Sequence, residues 1–522
     1  MIPLALSAFT HLWNVVGFPA IHPDEGVYLR RAMLVIEGLG THDPAAHFDH
    51  SLDTTSSYDH PYFGQIFLAW VLGAIGYPNS LHPSTDVHSI EMLYLVPRML
   101  MGILAVVDTF LIYKICEYRY NNRNVAFIAS VLFAVMPLSW LNRWILLDSI
   151  LLPFLLSSIL FAIYCTRNSK GVSRENNYIL TLFSGIFLGL AIYTKIPIFT
   201  MIPMIGFLIY MNNNKSLKML GLWFIPVIII PMLWPISSIL AGQYNDWEHG
   251  VLWQATQRHS QTTQMPNIKL NEFFTADPIL LILGGLGFVF SAIKRDFMLL
   301  LWLVPYILFL SLIGWVILFH WIPVIPAFCI ASAKLIVAIS DAITRKKTLS
   351  KYLSFKYLSF IITSGIAIFG LTSTAILITS NLSSSEFEAA AFVGKYVGDT
   401  GNTNSYNKTD DVTIISSPIY SWLFSSVFNN KHVFSHIRDA SVPVQTKKVA
   451  MVEDAVYNDI IFNKNKEDPR QMNLIGLVHN NTKTVLHLDK DNNYYKHVMD
   501  RYPYTSLIKY AWAAEIRIRA NY

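Results

Sequence analysis

Long apolar segments separated by short polar ones occupy the first 380 residues of this 522-residue chain. About eleven of them have the roughly 17–25 residues that a helix needs to cross the hydrocarbon core of a membrane. They lie near residues 2–20, 92–117, 123–141, 144–166, 179–194, 196–212, 217–241, 277–293, 297–319, 321–341 and 357–380. This pattern predicts an all-α polytopic membrane domain over residues 1–380. The first segment lacks the basic flank and small-residue cleavage site of a signal peptide, so we expect it to be a span.

The last 142 residues follow a different pattern, with more charge and shorter apolar stretches. The apolar run 412–415, followed by 421–424, predicts a strand and then a helix, and 448–452 and 484–488 predict further strands. We therefore expect a separate α/β domain over residues 381–522. Within the membrane domain, residues 21–91 form a long loop that we expect to carry juxtamembrane helices.

Composition supports this division. The chain is 53% hydrophobic and only 14% charged, whereas soluble domains carry about 25% charged residues. All three cysteines fall in predicted spans, so the tail domain is expected to have no disulfide. The net charge of +5 comes from basic loops, which points to anionic membrane lipid as a partner and not to nucleic acid.

Basic residues also predict the orientation of the chain in the membrane. They concentrate in the loops after alternate spans, which the positive-inside rule places in the cytoplasm. These residues are Lys114, Arg119, Arg123, Arg167, Lys170, Arg174, Lys215, Lys218, Lys294, Arg295, Arg345, Lys346, Lys347, Lys351 and Lys356. Residues 21–91, 242–276 and 381–522 are then extracytoplasmic.

Two adjacent carboxylates, Asp24 and Glu25, directly follow the first predicted span, and no charged residue precedes them. Acidic residues at the start of a helix interact favourably with its dipole, which is one explanation of the pair. The other is a general base at the membrane boundary, where a carboxylate can act on a substrate held in lipid.

Further polar residues lie on the same predicted side of the membrane. They are His60, Tyr62, Arg98, Arg143, Asp148, Lys195, Arg258 and His320. Any single cation among them fits a snorkelling side chain or a structural ion pair, such as Arg143 with Asp148. As a group they predict a site for a lipid phosphate, because fixed cations stabilise the charge of a phosphate leaving group.

These residues resemble a known family over residues 1 to about 340. The resemblance is to the protein O-mannosyltransferases and to the aminoarabinose transferase of lipid A, which share the GT-C fold. It rests on Asp24-Glu25, on His60-Pro61-Tyr62-Phe63-Gly64 where the family has His-Pro-Pro-Leu-Gly, on Arg98, and on the segments 143–149, 189–195 and 323–326.

The resemblance implies transfer of a sugar, mannose or another hexose, from a polyprenyl- or dolichyl-phosphate carrier to an acceptor hydroxyl with inversion. In this scheme Asp24 is the base and Glu25 orients a substrate. Lys195, Arg258 and Arg98 bind the donor phosphate. The donor and acceptor contacts fall to His60, Tyr62, Arg143, Asp148 and His320.

Departures from the family pattern leave the acceptor open. Tyr62 replaces a proline, the β-trefoil insert of the eukaryotic enzymes is absent, and an α/β tail follows the spans. A protein Ser or Thr, a glycan and a glycolipid all fit as the acceptor. The pattern is nearest to archaeal or bacterial members of the family, so we expect a location in a cell membrane. We expect no required cofactor, because cations already neutralise a monophosphate.

Two features lie outside this scheme. His42, His47 and His50 stand among acidic residues in the first outer loop, and their spacing fits either a divalent metal site or a solvated polar loop. Asp108 lies about 15 Å deeper than Arg98 along the same predicted helix. A buried ionisable group of this kind suits a hydrogen-bonded interhelical contact or an ion path.

Two other functional classes compete with the enzyme. A transporter or flippase for a lipid-linked or anionic substrate predicts ionisable groups at mid-membrane and repeated halves. Apart from Asp108 the charges gather at one surface, and the sequence shows no internal repeat. A membrane-anchored binding protein would leave the combination of Asp24, Lys195 and Arg258 unexplained.

Overall fold

The computed structural model describes residues 1–40, 58–165, 174–252, 254, 270–313, 316–344, 355–399, 412–434, 448–454, 480–488 and 516–520. Within these ranges the fold is a bundle of helices with a five-stranded sheet at the C-terminal end of the chain.

The helices of the bundle account for most of residues 2–378. They are α1 (Ile2–Leu12), α2 (Pro23–Ile36), α3 (Phe63–Ala74), α4 (Val87–Tyr120), α5 (Arg123–Val135), α6 (Leu147–Tyr164), α7 (Arg174–Thr194), α8 (Ile202–Asn212), α9 (Leu217–Leu240), α10 (Tyr244–Leu252), α11 (Leu270–Ala276), α12 (Pro278–Ile293), α13 (Phe297–Leu312), α14 (Ile325–Thr344) and α15 (Phe355–Ile378). Short 3₁₀ helices occur at Asn79–Leu81, Pro137–Arg143, Ile196–Met201 and Leu318–Val324.

Several of these helices are long and apolar enough to cross a membrane, which makes this a multi-pass membrane protein. In the described part of the chain, six helices are long and apolar enough to span a membrane. The number is eight if two bent helix pairs each count as one span. The count of about eleven expected from segment length is not confirmed. The difference arises at α1, at Ile196–Asn212 and at Phe297–Leu312, which are apolar but shorter than 18 residues.

Helix α4, with 34 residues, is the longest element in the described part of the chain. It begins at the N-cap Asp86, whose carboxylate accepts a 3.0 Å hydrogen bond from the Ser89 amide. It ends at Asn121, whose φ of 48° is left-handed and stops the helix. Helix α6 packs near the centre of the bundle, where 78% of its residues are buried.

The sheet has the strand order β2-β1-β3-β5-β4. Its strands are β1 (Val412–Ile415), β2 (Val433–Phe434), β3 (Lys448–Glu453), β4 (Lys483–Leu488) and β5 (Ile516–Ala520). Strands β1, β2 and β3 run parallel, whereas β5 pairs antiparallel with both β3 and β4. The C-terminal part of the chain thus has a small sheet, and the strand Val412–Ile415 is followed by a helix, as the sequence indicated.

Two helices of the tail connect the sheet to the bundle. Helix α16 (Ser384–Asp399) packs against α4, and the short helix α17 (Pro418–Trp422) packs against α2. Tyr94, in the third turn of α4, contacts Trp422 of α17. The N-terminal half of α4 therefore lies on the side of the bundle where the tail packs. We call this end of the bundle the sheet end.

Candidate active site

The first turn of α2 is held by a reciprocal capping arrangement. The Nδ1 atom of His22 accepts a hydrogen bond from the Asp24 amide (3.2 Å), and the Glu25 carboxylate accepts one from the His22 amide (2.8 Å). Such a box satisfies amide groups that the helix itself leaves without partners. It directs the Glu25 side chain back into the protein, whereas Asp24 lies partly at the surface.

Glu25 forms a buried ion pair with Arg98 of α4. The two carboxylate oxygens accept from Arg98 Nε (2.9 Å) and Nη2 (2.7 Å), and also from the amides of His22 and Ile145. The remaining Arg98 donors reach backbone carbonyls, including those of Val15 and Pro19. Every nitrogen of the Arg98 guanidinium is therefore engaged within the protein.

This pairing departs from what the sequence led us to expect. Arg98 was predicted to bind the donor phosphate and Glu25 to orient a substrate, yet both side chains are fully buried against each other. A two-point Arg–carboxylate pair is geometrically specific, and its charges are costly to separate once buried. The geometry thus favours a role in fixing α2 against α4.

Asp24 is presented differently. Its side chain is 23% exposed, and its carboxylate lies 3.9 Å from His22 Nδ1. Over the described residues, no hydrogen bond to the Asp24 carboxylate oxygens occurs. Asp24 therefore keeps its acceptor capacity for a group that approaches from outside.

Lys195 and Asp148 form a second buried pair. Lys195 directly follows α7, and Asp148 is the second residue of α6. The Lys195 ammonium donates to Asp148 Oδ2 at 2.5 Å and lies 5.0 Å from the centre of the Phe319 ring. The other oxygen of Asp148 is buried and accepts no hydrogen bond from the described residues.

Phe319 links this pair to the acidic turn of α2. Its ring lies 5.4 Å from the His22 ring, edge to face. The structure thus brings the α2 turn that carries Asp24 close to the Lys195–Asp148 pair, although these residues come from three different helices or their ends.

Tyr28 is a member of this cluster that sequence reasoning missed. It lies one turn after Asp24, its side chain is buried, and its ring is 6.3 Å from the His60 ring. Burial raises the pKa of Tyr28 well above its usual value, and the carboxylates of Asp24, Asp59 and Asp148 raise it further. The hydroxyl therefore stays protonated and can donate a hydrogen bond.

Arg31 extends the same helix face. Its Nη1 atom donates to Asp59 at 2.9 Å. Asp24, Tyr28 and Arg31 stand at positions i, i+4 and i+7, which places them on one side of a helix. That spacing was the signal in the sequence that could have identified Tyr28 and Arg31.

Arg143 does not belong to this cluster, contrary to the expectation that it contacts the substrate or pairs with Asp148. It is buried beneath the end of α1, where it donates to the carbonyl oxygens of Thr10 (3.2 Å) and Trp13. A helix leaves its last carbonyls without partners, and Arg143 supplies donors for two of them. Its observed contacts are therefore structural.

The structure also describes three other predicted residues, of which His320 and His60 lie close to the cluster. His320 is adjacent to Phe319, and its Nδ1 atom accepts from the Ile317 amide at 2.9 Å. His60 contacts Tyr28, as described above. Tyr62 precedes α3 and its ring lies 5.9 Å from that of Tyr58, whose hydroxyl donates to Gln243 at 2.7 Å.

The remaining predicted site residues lie outside the described residues. They are Arg258 of the outer loop and the histidines His42, His47 and His50. Within the described ranges, no group of three or more His, Cys, Asp or Glu side chains is arranged to hold a metal ion.

Comparisons with known proteins give one family match and several similar folds. The family model for dolichyl-phosphate-mannose-protein mannosyltransferase matches residues 48–240. No curated protein matches the sequence significantly.

Two solved structures share the fold. One is the archaeal oligosaccharyltransferase AglB from Archaeoglobus fulgidus, in complex with an inhibitory peptide and a dolichol-phosphate. It is 12% identical with a TM-score of 0.55, over 88% of this chain and 70% of that one. The other is ArnT from Cupriavidus metallidurans bound to undecaprenyl phosphate, which is 10% identical with a TM-score of 0.54, over 100% of this chain and 97% of that one.

Identities this low show the fold alone, whereas the family match is to sequence and covers the segment that contains His60, Arg98, Asp148 and Lys195. The partial family match and the shared fold therefore agree that this chain has the fold of these membrane glycosyltransferases.

Proposed function

We propose that this protein transfers a hexosyl group, such as mannose, from a polyprenyl- or dolichyl-phosphate carrier to a hydroxyl group. The acceptor is a protein Ser or Thr, a glycan or a glycolipid. The observation that supports the proposal is that Asp24, whose carboxylate has no hydrogen bond from the described residues, adjoins His22, and that His22 and the buried Lys195–Asp148 pair both lie against Phe319. A base and a cation in one cluster are what displacement of a phosphate requires.

Asp24 takes the proton in this reaction. As the acceptor oxygen attacks the anomeric carbon, its proton moves to the Asp24 carboxylate and a new carbon–oxygen bond forms. The bond from the anomeric carbon to the phosphate oxygen breaks on the opposite face, and the electron pair leaves with the polyprenyl monophosphate. A single displacement of this kind inverts the anomeric configuration.

Lys195 stabilises the leaving phosphate. A lysine ammonium has three N–H donors, and within the described residues only Asp148 accepts one of them. Two donors therefore remain for phosphate oxygens. Asp148 fixes the position of the ammonium, and Arg258 supplies a second cation, in line with the sequence prediction.

The neighbouring side chains complete the proposed substrate site. The neutral hydroxyl of Tyr28 donates to the sugar or to the acceptor, close to His60 and Asp24. Tyr62 and His320 remain proposed donor or acceptor contacts. By the positive-inside rule the site faces the extracytoplasmic side of the membrane.

A donor panel tests the proposal directly. Purified full-length protein in lipid nanodiscs is incubated with a panel of polyprenyl-phosphate sugars and with membrane extract as acceptor, and the products are identified by mass spectrometry. We expect one donor to be consumed by the unmodified protein and Asp24→Asn to abolish the transfer. Glu91→Gln is the matched control, because Glu91 is a carboxylate at the sheet end that interacts with His88 instead. Turnover retained by Asp24→Asn would remove it as the base.

A transporter or flippase is the second candidate, and one observation favours it. Asp108 lies within α4, and both its carboxylate oxygens are buried with no hydrogen-bond partner among the described residues. An unpaired acid inside a membrane span is typical of an ion or proton path. Movement of a labelled lipid-linked sugar across sealed vesicles without product formation, lost in Asp108→Asn, would favour this alternative.

A further inference from the structure

The helix that carries Asp24 lies directly against a helix of the C-terminal tail. At Gly26 of α2, an added Cβ atom would stand 2.0 Å from the Pro418 carbonyl oxygen and 2.9 Å from Trp422 Cδ1. Real Cβ atoms essentially never approach so closely, so any side chain at position 26 must push α2 and α17 apart. Gly26 is only two residues from Asp24, and a displacement there would move the proposed base.

Two hydrogen bonds hold α17 in place against α4. The indole Nε1–H of Trp422 donates to the Tyr94 hydroxyl oxygen (2.9 Å), and the Tyr94 hydroxyl donates to the Ile419 carbonyl (2.7 Å). All three residues are buried. Tyr94 lies one turn before Arg98, whose guanidinium carbon is 6.0 Å from the Tyr94 ring. The contact with the tail therefore adjoins the ion pair that fixes Glu25.

The chain that leads into the tail also holds the turn before α2. The Glu386 carboxylate accepts from the Ile21 amide (3.2 Å), the Ser383 hydroxyl donates to the Pro19 carbonyl (3.1 Å), and the Leu382 amide donates to the Gly17 carbonyl (2.7 Å). Residues 17–21 thus enter α2 along a path set by residues 382–386. The first turn of α2 is fixed on one side by Arg98 and on the other by the tail.

From these contacts we infer that the C-terminal tail positions the base, with Gly26, Tyr94 and Trp422 as positioning residues. The inference rests on the proposed function, in which Asp24 must meet an acceptor hydroxyl. A displacement of about 1 Å in such a group can cost on the order of 10²-fold in rate. Lys195 directly follows α7 and contacts Asp148 and Phe319, so loss of the tail contact should lower kcat and leave phosphate binding intact.

Thiol labelling measures the position of the base without any need for turnover. The full-length protein carries Asp24→Cys, and its labelling by a membrane-impermeant maleimide is followed in nanodiscs. The three native cysteines are buried and give a low background. We expect Gly26→Ala or Trp422→Phe to raise the labelling rate about tenfold, because the first turn of α2 loosens. The control is Gly285→Ala, at a helical glycine where an added Cβ meets no atom within 4 Å.

Kinetics on the donor from the panel supply the second measurement. In Gly26→Ala, Trp422→Phe and Tyr94→Phe, we expect kcat to fall about tenfold while the Kd for undecaprenyl phosphate stays within about twofold. Trp422→Phe removes the indole donor but keeps an aromatic ring at this position. It therefore tests whether the tail positions Asp24 even if Gly26→Ala fails to fold. An unchanged labelling rate in Trp422→Phe, or equal losses of kcat and phosphate binding, would overturn the inference. If the unmodified protein turns over no donor, the proposed function fails, and the labelling result still reports whether the tail positions α2.

Discussion

Lys195 and Asp148 form an ion pair of 2.5 Å in which both side chains are buried. Their positions at the end of α7 and the start of α6 bring this pair to the sheet end, beside the turn that carries Asp24. Burying a single charge is costly, and a neighbouring opposite charge reduces that cost. Asp148 therefore allows a lysine to be kept in a dry site, where its interaction with a phosphate is stronger than it would be in water.

Lys195→Ala should weaken binding of undecaprenyl phosphate by about 10- to 100-fold, since a charge-assisted hydrogen bond to phosphate is lost. The KM for the acceptor should change by less than about threefold, because the acceptor meets the Asp24 side of the cluster. Binding is measured by titration in nanodiscs, and the acceptor KM in the transfer assay.

Lys218→Ala is the matched control. This lysine is exposed and lies over the ring of Tyr178, away from the cluster. A larger effect of Lys195→Ala on the acceptor than on undecaprenyl phosphate would assign Lys195 to the acceptor instead.

Tyr28→Phe tests the hydrogen-bond donor beside Asp24. The pKa of Tyr28 is raised by burial and by three carboxylates, so the hydroxyl stays neutral from acid pH up to and beyond its ordinary pKa near 10. Removing it should lower kcat about tenfold at every pH between about 6 and 9. The pH profiles of the two proteins should thus be parallel. A basic limb present in the original protein and absent in Tyr28→Phe would show that the hydroxyl titrates during catalysis.

Much of this fold could be read from the sequence because its signals are local. The apolar runs predicted helices of the bundle, and runs such as Val412–Ile415 predicted three of the five strands, whereas β2 and β5 were not predicted. The number of membrane spans was harder to predict. Helices such as α1 are shorter than the apolar segments that contain them, and too short by themselves to cross the membrane. Apolar composition does not reveal where a helix ends and an apolar turn begins.

Side-chain pairing was much less predictable. Charge type and approximate depth led to Asp24 and Lys195, which lie on either side of the Phe319 and His22 rings. The partners could not be assigned, because pairing depends on distances between residues far apart in the chain. Arg98 engages Glu25 and Asp148 engages Lys195, whereas the pair suggested by proximity in sequence, Arg143 with Asp148, does not form.

Metal removal tests the proposal that cations of the protein are sufficient for catalysis. Incubation with excess EDTA, followed by assay in metal-free buffer, should leave at least about half of the transfer activity, because in the proposed mechanism Lys195 and Arg258 neutralise a monophosphate leaving group. Restoration of lost activity by a divalent cation would contradict this. Loss of that restoration in His47→Ala and His50→Ala would then place the metal at the histidines of the first outer loop.

The Glu25–Arg98 pair should govern stability and the position of α2, not donor binding. Arg98→Lys removes the two-point geometry, since lysine offers a single ammonium where the guanidinium reaches both carboxylate oxygens and four carbonyls. Breaking a buried pair from one side costs about 3–5 kcal/mol. We therefore expect Arg98→Lys and Glu25→Gln each to lower the midpoint of thermal unfolding in detergent.

The double variant separates pairing from simple loss of packing. If the two side chains act mainly on each other, Glu25→Gln with Arg98→Lys should be destabilised by less than the sum of the single changes. The Kd for undecaprenyl phosphate should stay within about threefold in whatever fraction remains folded, because Arg98 already donates to protein acceptors. Additive losses of stability would contradict the pairing of the two side chains. A selective loss of phosphate binding in Arg98→Lys would assign Arg98 to the donor site, as the sequence predicted.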